Sequence, residues 1–528
     1  MRNGAAALER MDSALIDSLR SPDSYRHTVE SIELIETHVS WVVLTGAFAY
    51  KIKKPIKLGF LDFRELEDRR FYCEEELRLN RRWAPEIYLD VVPISMHACG
   101  PLVGGDGPPV EYAVRMRQFD QERRLDIQLE MDELSLHDMD ELANNIALRH
   151  GSADIVGPAG RMETLSLIEG AMWDNLDALE GQLPARKMQA LRNWTAESLD
   201  TLDPVLRQRF DDGCVRECHG DLHLTNLVRL PSGITAFDCL EFSTDLRNTD
   251  VMADVAFLVM DLVSRRRPDL AYRFLNRYLE VTGDYGGMKV FALYFVYRCL
   301  VRAKVALIRS RERQRDSDAT VDLSRVLEYC NMALRETRHR TPLLVVMHGL
   351  SGSGKTRLSS RLLSALPAVR IRSDIERKRL VGLGESADSG SGVAQGIYSE
   401  AVNRDVYRRL HRLAATTLRA GHDVILDASY LKSLDREHAR RIAAASGAGV
   451  VFLHTTAPVS VLRDRILIRA SGGRQPSEAD IEVLEYQLDN VEELSPAEQG
   501  AAVEFDTREV VNAEDVCRRL RQCTAESL

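Results

Sequence analysis

The sequence has no long apolar run. No stretch of its 528 residues reaches the ~18 uncharged apolar residues that a membrane helix needs; the most apolar segment, Val290–Val301, is interrupted by Arg298. No membrane span is therefore expected. The opening residues, MRNGAAALERMD, lack the apolar core of a secretory leader. The nine cysteines include no CxxC pair and no disulfide-like spacing, which predicts reduced thiols and a cytoplasmic protein. A basic surplus is also missing. Net charge is −10, and residues 341–528 hold 25 Lys+Arg against 25 Asp+Glu, so all ten surplus acids lie in residues 1–340. This distribution argues against a general nucleic-acid binder.

What is present is an ordinary globular composition, 45% hydrophobic and 28% charged, in a chain too long for one core. The clearest seam is the charged run Arg335–Arg340 followed by Thr341-Pro342. It predicts two domains, 1–340 and 341–528. In the first, apolar alternation at Trp41–Lys54 and a turn at Gly104–Pro109 leading into Glu111–Phe119 read as strands. Helical patterns then dominate from about Asn248 to Leu334, so two lobes are expected. After Pro342 strands and helices alternate (Leu343–Met347, Val369–Arg372, Val424–Asp427, Val450–His454), which implies a parallel, doubly wound sheet.

GLSGSGKT at Gly349–Thr356 matches GxxxxGK[ST] in full, after an apolar strand and before a helical pattern. Gly349, Gly352, Ser353 and Gly354 let the backbone wrap phosphates, and the helix N-terminus adds positive potential. Lys355 is expected to reach the phosphates of ATP and the Thr356 hydroxyl to ligate Mg2+. Asp374 ends the second strand with Arg377 one turn later; the crevice at strand C-termini suits a proton acceptor and a phosphate-holding arginine. Asp427 ends the third strand as a Mg2+ ligand through water, although a strand-end Asp can equally cap a helix. Arg463, Arg465, Arg469 and Arg474 surround a Gly-Gly turn and read as a lid closing on the transferred group. Residues 342–528 resemble the small P-loop kinases related to gluconate kinase, polynucleotide kinase and zeta-toxin kinases. The resemblance implies that Asp374 is the base acting on the acceptor hydroxyl.

The first domain contains CHGDLHLTNL, with His219, Asp221 and Asn226 in an HxDxxxxN pattern, followed by ITAFDCLEF with Asp238. An Asp base, an Asn five residues on and a second Asp after a hairpin form a Mg2+-dependent phosphotransfer constellation. Asp221 is the expected base, and Asn226 and Asp238 the metal ligands. This segment is similar to the catalytic loop of the aminoglycoside phosphotransferase and choline kinase family, a branch of the protein-kinase-like fold. The resemblance spans residues 30–335 and is strongest at Glu217–Asp254. It implies a nucleotide lysine on a strand, Lys51 in FAYKIKKP with Lys53 as runner-up, and a helical partner, Glu76, on one face with Tyr72, Leu79 and Trp83. EYAVRMRQF resembles the hinge strand. Only TGAF at Thr45–Phe48 stands where a glycine-rich loop would cover the phosphates. Cys214, Cys218, His219 and His223 lie close together but need no zinc. Asp254 reads as a buried acceptor bracing the catalytic loop.

The expected fold is thus an α+β protein-kinase-like two-lobed domain followed by an α/β doubly wound P-loop domain. The expected activity is a bifunctional ATP-dependent phosphotransferase acting on hydroxyl groups of small molecules. The competing expectations are a nucleotide-sensing regulatory protein with one active kinase or ATPase domain, and a nucleic-acid-end kinase, against which the pI of 5.8 weighs.

Overall fold

Alternation decides how the first sheet presents its charges. In Phe48–Lys53 (β3), Tyr50 and Ile52 face one way and Ala49, Lys51 and Lys53 the other, the period of two of an extended strand. Tyr50 and Ile52 join a core with Val43, Ile94, Val103 and Ala113. Ala49 joins Cys73, Tyr88 and Val114 on the opposite side. The antiparallel sheet around β3 contains Glu33–Glu36 (β1), Ser40–Leu44 (β2), Tyr88–His97 (β4), Gly100–Val103 (β5) and Pro109–Arg117 (β6), in the order β1-β2-β3-β6-β4-β5. Helix Leu66–Trp83 (α1) packs on β6 and β4. Its buried stripe is Arg69, Cys73, Glu76, Asn80 and Trp83, spaced by three and four residues. One polar residue of this stripe, Glu76, therefore faces the lysines of β3.

The structure, a computed structural model, describes residues 14–58, 61–316, 323–385, 387, 389–391, 395–471, 479–509 and 512–525. These form two compact units. One is the described chain up to Ile168 with Arg207–Leu258; the other is Glu169–Leu206 with the described chain from Val259 onward. No helix among the described residues is long and apolar enough to cross a membrane.

The second unit is built on a five-stranded, all-parallel sheet. Its strands are Leu343–His348 (β7), Ala368–Arg372 (β8), Asp423–Asp427 (β9), Gly449–Thr456 (β10) and Ala502–Asp506 (β11), ordered β8-β9-β7-β10-β11. β7 and β9 are buried almost throughout, as a sheet covered on both faces requires. The fifth strand, β11, lies beyond the four that the sequence pattern marks. The long helices expected after Asn248 form, at Val251–Ser264, Pro268–Thr282 (α2), Met288–Asp316 and Ser324–Glu336. Pro268 opens α2 at its first turn, and Gly283, at φ 75°, closes it in the left-handed region.

Compactness thus divides the chain ahead of the charged seam at 335–342. α2 packs on the edge strand β8. Asn276 Nδ2 donates to Ala368 O at 2.9 Å, and Arg370 N donates to Asn276 Oδ1 at 2.6 Å. One carboxamide thereby occupies the ladder positions that a neighbouring strand would fill, which closes an otherwise open sheet edge.

Two candidate active sites

In the first unit the stripe of α1 meets the polar face of β3. Lys51 Nζ donates to Glu76 Oε1 at 2.8 Å and to Asp238 Oδ1 at 2.5 Å. Lys53, wholly buried, pairs with the other Glu76 oxygen and with Glu241. Glu76 is thus shared by both lysines. Burial alone would raise its pKa, but the charges of Lys51 and Lys53 bring it below the usual carboxylate range. Burial likewise works against the Lys51 ammonium, and Asp238 and Glu76 outweigh it. Sequence reading missed Glu241, although Lys53 on the inward face of β3 signals a buried counter-charge. It also missed Asn80, one turn beyond Glu76, whose Oδ1 accepts Cys239 N at 2.9 Å and fixes the backbone just after Asp238.

Asp238 sits at φ 62°, a strained setting for a residue with a Cβ, with its N–H on Tyr88 Oη at 3.1 Å and its side chain 43% exposed. Asn226 Nδ2 donates to both the carbonyl and the carboxylate Oδ2 of Asp221, each at 3.0 Å, and the Asp221 side chain is 34% exposed. Asp221, Asn226 and Asp238 thus present oxygen-rich side chains of the kind that suits a hard divalent cation. Burial depresses the pKa of His219, leaving the ring neutral. Its Nε2–H then donates to Phe237 O at 2.9 Å while Nδ1 faces Asp221 N at 3.4 Å. Asp254 accepts from His219 N at 2.8 Å and Gly220 N at 3.0 Å, the bracing role expected of it. Cys218 donates to Thr249 O. The turn at Thr45–Phe48 is tied down by Gln118 Oε1, which accepts from Thr45 N at 3.0 Å and Gly46 N at 2.9 Å. Nothing in the sequence signals that contact.

In the second unit Gly349–Thr356 curls between β7 and helix Lys355–Leu362 (α3). Gly349, at φ 143°, has no room for a side chain: a Cβ there would lie 2.5 Å from Thr455 O. One on Gly352, at φ 79°, would lie 2.8 Å from Leu462 O. Lys355 Nζ donates to Gly349 O and Leu350 O, both at 2.8 Å. Burial brings its pKa down to about 8, against the attraction of Asp427 and Asp374. Thr356 Oγ1 lies 3.3 Å from Asp427 Oδ1, and Ser359 Oγ donates to Asp427 Oδ2 at 2.9 Å. A hydroxyl and a carboxylate thus converge beside the loop, a donor set that fits Mg2+. Ser353 Oγ pairs with Thr455 Oγ1 at 2.7 Å, and Ser351 N donates to Gln487 Oε1 at 2.7 Å.

Asp374 lies past the end of β8, which stops at Arg372, in the first turn of helix Ser373–Leu380, close enough to Lys355 to act on its charge. Arg377 is buried; its Nη1 donates to Ile397 O at 2.9 Å and Asn403 Oδ1 at 2.6 Å, and its guanidinium covers the Tyr398 ring. Of the lid arginines, Arg463 pairs with Glu485 on the surface. Arg465 holds Gly352 O at 3.2 Å and both Thr507 oxygens at 2.8 Å. Arg469 reaches Ala479 O and is the one whose charge acts on Lys355. Arg474 lies outside the described residues.

Fold and motifs together define a kinase-type phosphotransferase domain followed by a P-loop kinase domain. Residues 121–291 match the phosphotransferase enzyme family and residues 344–494 an AAA domain. The chain belongs to the family of the uncharacterized proteins Rv2004c of Mycobacterium tuberculosis and Mb2027c of Mycobacterium bovis. It is 31% identical to each over 454 residues, 85% of this chain and 88% of theirs. A choline/ethanolamine kinase family protein from Mesorhizobium loti aligns over 62% of this chain and 95% of its own, at 12% identity and a TM-score of 0.38. A gluconokinase from Sinorhizobium meliloti aligns over 36% and 91%, at 19% identity and a TM-score of 0.24.

Proposed function

We infer that this phosphotransferase carries two separate centres, in residues 1–340 and 341–528, each moving the γ-phosphoryl group of ATP to a hydroxyl of a small molecule. The observation that carries the reading is the contact set of Lys51. One ammonium holds the carboxylate of α1 and the carboxylate that follows the catalytic loop, the arrangement a triphosphate needs before transfer.

In the first centre Lys51 binds phosphate oxygens and Glu76 fixes its position. Asp221 Oδ2, oriented by Asn226, takes the proton of the acceptor hydroxyl. The freed oxygen bonds to the γ-phosphorus as the bond to the β–γ bridging oxygen breaks, and ADP departs. In the second centre Lys355 and the Gly349–Thr356 amides cradle the phosphates, and Asp374 is the proton acceptor. Asn226 with Asp238, and Thr356 with Asp427, would hold Mg2+, which neutralises phosphate charge when bound.

Calorimetry with a non-hydrolysable ATP analogue tests this on the whole chain. Two binding events are expected in the wild type. Lys355→Ala should remove one and Lys51→Ala should weaken the other. A single event, lost only with Lys355→Ala, would replace this reading by one kinase with a kinase-like regulatory domain.

A further inference from the structure

Two arginines at the end of β8 converge on one buried carboxylate. Glu280 lies on α2, outside the residues that carry the P-loop motif. Burial alone would raise its pKa, and the guanidinium groups of Arg370 and Arg372 reverse this, so it is ionised. Arg370 Nη2 donates to Glu280 Oε1 at 2.8 Å, and Arg372 Nη1 stands 3.6 Å from Glu280 Oε2. On its other side Arg372 Nε is 3.9 Å from Asp427 Oδ2. The guanidinium therefore hangs between two carboxylates, one on α2 and one beside Thr356.

We propose that Glu280 is a positioning residue of the P-loop site, holding Arg372 back from Asp427 so that this carboxylate stays available to a divalent cation. The proposal rests on the nucleotide reading of that site. Neither contact of Arg372 has closed to hydrogen-bond distance, and Glu280 and Asp427 lead the carboxylates whose charge acts on it, ahead of Asp374 and Glu385. Without the charge on Glu280, the guanidinium has Asp427 as its nearest carboxylate, and a bidentate Arg–carboxylate pair is the geometry it favours. A cation would then have to displace Arg372.

The test uses the full chain, with Mg2+ titrated at a fixed concentration of a fluorescent, non-hydrolysable ATP analogue and read at the site that Lys355→Ala removes. In Glu280→Gln the amide oxygen still accepts from Arg370, while a neutral group faces Arg372. The Mg2+ concentration at half-maximal binding should rise about tenfold, with metal-free analogue affinity changed less than about twofold. Arg372→Met should bind at or below the wild-type Mg2+ concentration, a direction that misfolding cannot produce. Glu280→Gln/Arg372→Met should return to the Arg372→Met value. An unshifted midpoint in Glu280→Gln, no rescue in the double variant, or a raised midpoint in Arg372→Met would each overturn the proposal. A wild type with no analogue binding sensitive to Lys355→Ala would instead overturn the nucleotide reading, and the positioning role with it.

Discussion

Asp254 accepts the backbone N–H of His219 at 2.8 Å, and with its second oxygen the N–H of Gly220 at 3.0 Å. A buried carboxylate thereby sets the path of the chain immediately before Asp221. Asp254→Ala should strip both amides of this acceptor, at about 1–3 kcal/mol each. Asp254→Asn keeps one accepting oxygen and should cost less. Hydrogen exchange at His219 and Gly220 is the check: protection should fall in the order wild type, Asn, Ala. Equal protection in all three would mean that the loop is held elsewhere.

The two lysines of β3 should separate stability from binding. Lys53→Met leaves Glu76 and Glu241 facing each other without the buried ammonium between them, a loss of about 3–5 kcal/mol. Lys51→Met leaves Glu76 paired with Lys53, so the fold should lose less while the analogue-binding event of the first centre weakens by orders of magnitude. Thermal unfolding and calorimetry on both variants decide it. The reverse ranking would make Lys53 the nucleotide lysine.

Lys355 gives the second centre a pH signature. Burial depresses its pKa to about 8, so below that pH the ammonium is already present to meet phosphate. Above it, binding must take up a proton, and affinity should fall by up to about tenfold per pH unit. Calorimetry in buffers of different ionisation heat should detect that uptake near pH 9. Affinity flat between pH 7 and 9.5 would show a lysine that is charged throughout.

Much of the geometry around both candidate sites was legible because their motifs are local. Gly349–Thr356 declares its loop through glycines set at positive φ and close packing, and Asp221, Asn226 and Asp238 fall within one hairpin's reach of each other. Lys51 and Glu76 needed an additional step, the inward face of a strand and of a helix. Glu241, Gln118 and Glu280 were not legible, because each acts at long range in sequence through a contact that no spacing encodes. Arg377 and Arg465 illustrate the converse: their residue type fits phosphate, while their structural partners are backbone carbonyls, an amide and a hydroxyl.

Asn276 should matter to the sheet edge more than its single side chain suggests. Asn276→Ala removes both bonds to β8, about 1–3 kcal/mol, and exchange at the Arg370 amide should accelerate. A fragment of residues 342–528 alone should behave worse still, since it lacks Asn276 and also leaves Arg370 and Arg372 without Glu280. Lower solubility and a lower Tm than the full chain are expected. A fragment as stable as the parent would show that α2 is dispensable.

The carboxamide of Asn276 also bears on how such a chain could have been assembled. A gene joined cleanly at the charged seam would have delivered a P-loop sheet with a bare edge, competing with every other exposed strand in the cell. Transplanting this C-terminal half onto a foreign partner would leave that edge uncovered unless the graft started upstream of Pro268. The seam visible in the letters is therefore a poor place to cut.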